Sequence, residues 1–372
     1  MDPKAPTSDE PPRVRFAAQS EFSRELKRRT DVYFDSPGGR RRDLPLMYLK
    51  TVVMLAWFVG SWALLVFVAT EAWQGVLFAV SLGLSIAGIG MSVQHDANHG
   101  SYSSRPGVNR ALRLTLDIMG VNSFIWRQKH NVLHHTYTNI EGIDFDLDFG
   151  NIARLSPDQP RRPWHRFQHV YLWFLYGFLL PKWVFYDDWN ILFTRRMGPH
   201  RLHKLDRGDL ALFAAAKLFF FGWAILVPAL YHPLSHVLLF HLIAAFALGV
   251  TLACVFQLAH CVEEAEFPRP MPAGEPMASD FAIHEVETSV DFAKDNAILS
   301  WYLGGLNFQV EHHLFPKVCH LHYPALSRIV IDVAEQHGVR YRANRTLSDA
   351  LGSHFRLLRK LGRPVKELPA AA

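Results

Sequence analysis

The side chains with most chemistry to offer in this chain are its histidines, of which there are 20 in 372 residues. Their grouping matters more than their number. His95 and His99, in HDANHG, are four apart, which on a helix puts two imidazoles on one face where they can clamp a metal ion. His130, His134 and His135, in HNVLHH, repeat that spacing and add a neighbour about 100° further round an α-helix. His312 and His313, in NFQVEHHLFP, form a third group, with Gln309 three residues before the first of them. His260, in FQLAHCVEE, follows directly on a long apolar run. One HxxxH pair arises often by chance, but three groups make a structural role harder to defend. A catalytic zinc takes about three protein ligands and a structural one about four, so eight imidazoles imply two metals. Imidazole suits Fe, Zn, Cu and Ni alike, and donor type alone does not select among them.

Such groups need elements to carry them, and hydropathy supplies these. Four stretches, Tyr48 to Thr70, Trp73 to Val93, Leu210 to Tyr231 and Ser235 to Gln257, each hold about 20 residues, enough to cross a hydrocarbon core about 30 Å thick. Lys217, the one clear charge inside them, is expected near a cytosolic end, snorkelling to the interface. Glu71 and Ala72 join the first two stretches, and His232 to Leu234 join the last two, so the spans form two hairpins. Lys and Arg gather in the N-terminal arm, the central segment and the C-terminal tail, which puts all three, with both termini, in the cytosol. Two crossings then separate the second histidine group from the third, and all groups share one side. The fold expected is all-α and integral to the membrane: four spans in two hairpins with a cytosolic helical cap holding a His-rich dimetal site.

Between the hairpins, Val170 to Leu180 has about half the length a span requires and is expected in the interface, as is Ala111 to Trp126, read as one amphipathic surface helix. Phe267 to Pro276, FPRPMPAGEP, is a Pro-rich break. The chain divides into a cytosolic arm (1–47), a membrane domain with its cap (48–324) and a cytosolic tail (325–372), in which Ala325 to His337 has helical apolar spacing. Met1 to Asp43 lacks an apolar core and is no cleavable secretory signal; it reads as a partly disordered arm.

Composition narrows the function. Hydrophobic residues make up 49% of the chain and are gathered in blocks, unlike a soluble core. A net charge of +5 clustered beside apolar spans is explained by topology and anionic lipid, and nucleic acid is not expected as a partner. Cys254, Cys261 and Cys319 have no paired spacing, so neither a disulfide framework nor a Cys-based zinc site is implied, and a reducing compartment fits.

HDANHG, HNVLHH and QVEHHLFP, in that order and split by a hairpin of spans, closely resemble the three histidine boxes of membrane fatty-acid desaturases. The resemblance covers most of the chain. It implies two iron ions, O₂ as co-substrate, an acyl-CoA or acyl-lipid substrate, and electrons from a separate redox protein of ferredoxin, cytochrome b5 or flavin reductase type. Gln309 stands where the HxxHH form of the third box has its first histidine; QxxHH is typical of front-end members, which insert a double bond between an existing one and the carboxyl end, although other bacterial-type members share it. Many relatives carry a fused haem module marked by HPGG, whereas this chain has only DSPGG at Asp35 to Gly39. The chemistry supports iron too, because oxidising an unactivated CH₂ needs a high-valent oxidant that redox-inert zinc cannot provide and iron can.

Around the boxes, Asp96, Asp144, Asp146, Asp148, Glu263, Glu264 and Glu311 are candidates to receive imidazole N–H bonds, against simple solvation. Gln309 is a candidate weak ligand, and Asn307 could hold a metal-bound water or serve as a cap or turn. His241 is expected to make a hydrogen bond between helices within its span. His320 and His322 could lie near the site, while His165, His169, His200, His203, His284, His337 and His354 read as surface or interface residues. Two other functions stay open: a fatty-acyl hydroxylase on the same scaffold, and a His-rich metal transporter, which would need ligands near the bilayer midplane.

Overall fold

The computed structural model describes residues 14–36, 39–202, 205–272 and 275–364. Four helices among them are long and apolar enough to cross a membrane: Pro45–Val68, Ala72–His99, Arg207–Ala229 and Leu234–His260. These are the four expected stretches, but the second and fourth run further than their apolar stretches do. Helix continues through His95, His99 and His260, so two long helices carry ligand candidates on their own ends.

The second long helix is the most enclosed, packed between the first and the fourth. Small residues permit this: a Cβ on Gly83 would lie 2.2 Å from the carbonyl oxygen of Ala244, so only glycine allows this backbone approach. The outward faces of the other three helices carry rows of exposed apolar side chains, including Leu49, Val52, Leu218, Phe219, Leu238 and Leu239. Exposed rows of this size suit a lipid environment.

The segment between the second and third long helices departs from expectation. Ala111 to Trp126 is not one surface helix; it falls within three short ones, Pro106–Arg113, Thr115–Ile118 and Ser123–Arg127. Gly120, at φ +88°, makes the turn, and Leu116, Met119, Val121 and Ile125 are buried instead of lying on a membrane face. Lys217 does not snorkel. It is 5% exposed, and its Nζ donates to Asp188 Oδ2 (2.7 Å) and to the carbonyls of Gly120 (2.6 Å) and Val184 (3.1 Å). Val170 to Leu180 is divided between two short helices, Gln168–Tyr176 and Leu179–Lys182, followed by Trp183–Asp187 and Asp188–Thr194.

The described part of the 267–276 stretch contains no helix, and Tyr323–His337 is helical as its spacing predicts. The described parts of the arm and the tail pack onto the rest of the protein. In the arm, Glu21–Asp35 is a helix capped by the Ser20 hydroxyl and held to Tyr323–His337 by Arg29, which bonds Asp332 and Gln336. Near the other end, Leu347–Leu361 packs on the fourth long helix, with His354 buried between the Tyr176 hydroxyl (2.8 Å) and the Cys261 carbonyl (2.6 Å). His165, His200 and His284 are likewise buried, not surface residues. His203 lies outside the described residues, as do 1–13 and 365–372. His241 packs its ring against Phe220, 5.6 Å between centroids, and among the described residues it has no hydrogen bond to another helix.

Candidate metal centre

Two of the histidine groups are presented by stretches of helix with π-helical turns. In the second long helix a π-helical segment, Gly90–Gln94, immediately precedes His95–His99 and resets which face the box presents. The helix stops at Gly100, whose φ of +70° is the left-handed conformation of a helix end. The second box is itself π-helical over Gln128–His134. In an i→i+5 pattern His130 and His135 share a face, and their Nε2 atoms lie 3.3 Å apart. An α-helix would have paired His130 with His134 instead. The third box lies on the short helix Gln309–Leu314.

All eight imidazoles meet. His95, His99, His130 and His312 form one group, each offering a ring nitrogen within 4.8 Å of the others, and His134, His260 and His313 form a second. His135 lies between them, grouped with His312 and His313 and 4.3 Å from the His313 ring. All but His99 are below 9% exposed. Ring nitrogens without partners converge here: Nε2 of His99, His134, His312 and His313, and Nδ1 of His135. Buried polar atoms rarely go unpaired, so this donor set fits metal ions. Burial, and then the neighbouring rings, hold His130, His135, His312 and His313 well below the ordinary imidazole pKa, in the neutral form that binds metals.

The opposite ring nitrogens are held from behind. His134 Nδ1 donates to Asp144 Oδ2 at 3.0 Å, and Asp146 Oδ2 is 3.9 Å from the same nitrogen. Asp96 Oδ1 is 3.9 Å from His95 Nδ1, and its Oδ2 accepts from His320 Nδ1 at 2.9 Å, so His320 does belong to the site's surroundings. His322, by contrast, faces the Tyr33 hydroxyl and the Arg40 carbonyl. Four partners had no signature in the sequence. They are Glu285, 2.7 Å from His313 Nδ1; Thr138, whose hydroxyl is 3.1 Å from the same nitrogen; Tyr323, 3.3 Å from His312 Nδ1; and the Thr288 carbonyl, 3.4 Å from His260 Nδ1. Asn139, at φ +56°, ties the second box to the fourth helix by donating to the His260 carbonyl at 2.9 Å.

Several expected partners serve elsewhere. Glu311 points away from the rings toward Asp291, and burial, then that second carboxylate, push its pKa well up. On a six-residue helix it faces about 100° from His312, which is why. Glu263 bonds Arg356, and Glu264 bonds Ser353 and Asn344, fastening the last helix. Asp148 accepts from the Gly150 amide. Asn307 fills the turn role: its Nδ2 donates to the Phe292 carbonyl (3.2 Å) and Ser300 Oγ (2.9 Å). Gln309 stands at the second group, its Nε2 3.0 Å from His260 Nε2.

Beside the histidines opens a cavity. It is lined by Lys129, Asp146, Lys182 and Asp187, by His95, His130 and Gln309, and by Gly90, Met91, Leu252 and Ala253, which precede the histidines on the second and fourth helices.

A bundle of four long apolar helices bearing a buried cluster of histidines, with a largely apolar cavity beside it, is the architecture of a membrane protein with a donor set suited to metal. A family model described as fatty acid desaturase matches residues 71–345. The chain is 38% identical to the sn-1 linoleoyl-lipid 6-desaturase of Arthrospira platensis, over 94% of this chain and 95% of that one. It is 37% identical to the protein of the same name from Synechocystis (94% and 98%) and 35% identical to the acyl-lipid (8-3)-desaturase of Physcomitrium patens (93% and 72%). The chain belongs to the fatty acid desaturase family and is an oxidoreductase that desaturates fatty-acyl chains.

Proposed function

We propose that this protein is a front-end acyl-lipid desaturase that crosses the membrane four times in two hairpins, with its termini and metal site in a cytosolic cap. The observation that carries the reading is the convergence of eight imidazoles, in two groups linked through His135, beside a largely apolar cavity. His95, His99, His130 and His312 would hold one iron ion, and His134, His260 and His313 the second, with His135 between and Gln309 at the second ion's edge. Two irons would supply the O₂-dependent oxidant that an unactivated CH₂ requires.

The rest falls to the protein. Lys182, half exposed, would meet a polar head group, and Met91 and Leu252 would meet the alkyl tail, all three lining the cavity. Position along this channel decides which carbons meet the site. Overall, the acyl chain gives up two hydrogens with their electrons, a separate donor adds two electrons and solvent two protons, and O₂ leaves as two waters. The front-end reading rests on Gln309 in QVEHH and on relatives named for 6- and (8-3)-desaturation.

Lipid profiling of a host expressing the chain tests this. An acyl product lacking two hydrogens, with the new bond on the carboxyl side of an existing one, is expected. Addition of oxygen would place the chain among hydroxylases, and an unchanged profile despite iron-loaded protein would sink the proposal.

A further inference from the structure

The wall of the cavity holds a polar group that metal chemistry does not use. Gln257 is 1% exposed, lies in an otherwise apolar stretch of the fourth long helix, and lines the cavity together with Leu252, Phe256 and Gln309. Its Oε1 is buried with no hydrogen-bond partner, and it belongs to none of the histidine groups. A buried amide oxygen left unpaired in an apolar wall is costly, so a ligand passing through the cavity is the natural partner.

Its depth identifies what that ligand presents. Gln257 precedes His260 by three residues, about 4.5 Å along the helix axis at 1.5 Å per residue. The offset leads back along the helix from the histidines toward Leu252, which also lines the cavity. An acyl chain lying head group first would therefore pass the histidines and reach Gln257 a few carbons nearer its methyl end. In a front-end substrate that is where the existing double bond lies.

We propose that Gln257 reads the pre-existing cis double bond of the substrate, its amide N–H meeting the π face and its Oε1 the polarised vinyl C–H. This rests on the front-end reading above. Such contacts are weak, but beside a saturated chain the amide would be desolvated with nothing to meet. Gln257 is thus a positioning and specificity residue; it touches no reacting carbon.

The test is competition in a host supplied with a saturated acyl chain and with the same chain carrying one cis double bond, using full-length protein. In Gln257→Leu and Gln257→Met the preference for the unsaturated chain should fall about threefold or more, with iron content unchanged and much of the preference kept in Gln257→Asn. An unchanged preference in both apolar variants overturns the proposal, and so does loss of iron from both, which would make Gln257 a support of the metal site. If the unaltered protein desaturates neither chain, it is the front-end reading that fails.

Discussion

His134 donates from Nδ1 to Asp144 at 3.0 Å while its Nε2 faces the second histidine group without a partner. Burial opposes charge on both residues, yet each outweighs it for the other: Asp144 and Asp146 hold the imidazole above its ordinary pKa, and His134 holds the Asp144 carboxyl below its own. The carboxylate therefore fixes which nitrogen carries the proton and leaves the other free for metal. Asp144→Asn should lower iron occupancy or activity about 10- to 100-fold with membrane insertion intact. Iron analysis of purified protein checks this, and full occupancy with full activity would show that Asp144 does not orient the ring.

His134→Ala and His313→Ala each remove a member of the second group, whereas His99→Ala removes one from the first. Under the proposed two-iron site, each substitution should abolish desaturation. Elemental analysis should find about one iron per chain or fewer. A variant that keeps activity removes its residue from the ligand set.

Asp117 offers a pH signature away from the histidines. Burial pushes its carboxyl up to about 6; the Ser123 amide, donating at 3.2 Å, only partly offsets this, and Asp188 adds to it. Between its unfolded value near 4 and about 6 the folded protein binds more protons than the unfolded chain, so this residue's contribution to stability falls as pH rises through that window. Asp117→Asn should flatten the pH dependence there and gain up to about 3 kcal/mol at neutral pH. Thermal denaturation of both proteins from acid to neutral pH would reveal it, and parallel curves would rule it out.

Lys217 and Asp188, 6% and 4% exposed, form a buried pair that ties the third long helix to the segment before it. Removing either partner alone leaves an uncompensated buried charge, so Lys217→Met should cost about 3–5 kcal/mol. The double variant Lys217→Met, Asp188→Leu should be distinctly less destabilised than the sum of the singles. Strict additivity in denaturation measurements would mean the two do not stabilise each other.

Gly90 leaves room in the cavity wall, since a Cβ there would meet only Leu252 Cδ2, at 3.9 Å. Gly90→Leu should project into that space and shift turnover toward shorter acyl chains, read from product profiles of a mixed lipid supply. Unchanged chain-length selectivity would place the alkyl tail elsewhere.

The apolar blocks and the histidine spacings, taken alone, marked out four long helices and eight candidate imidazoles, and the order of the boxes carried the resemblance to the desaturase family. That much is local, because the length of an apolar run and the identity of a side chain are written residue by residue. Which imidazoles stand together was settled only in three dimensions. The π-helical turn of the second box joins His130 to His135, and HNVLHH also satisfies an α-helical spacing that would have paired His130 with His134. Lys217 looked like a snorkelling residue until a distant Asp188 came within 2.7 Å, and Glu285, about 150 residues beyond the second box, backs His313 with no motif to announce it. Burial and partnership are properties of pairs brought together by packing, and no window of sequence contains both members.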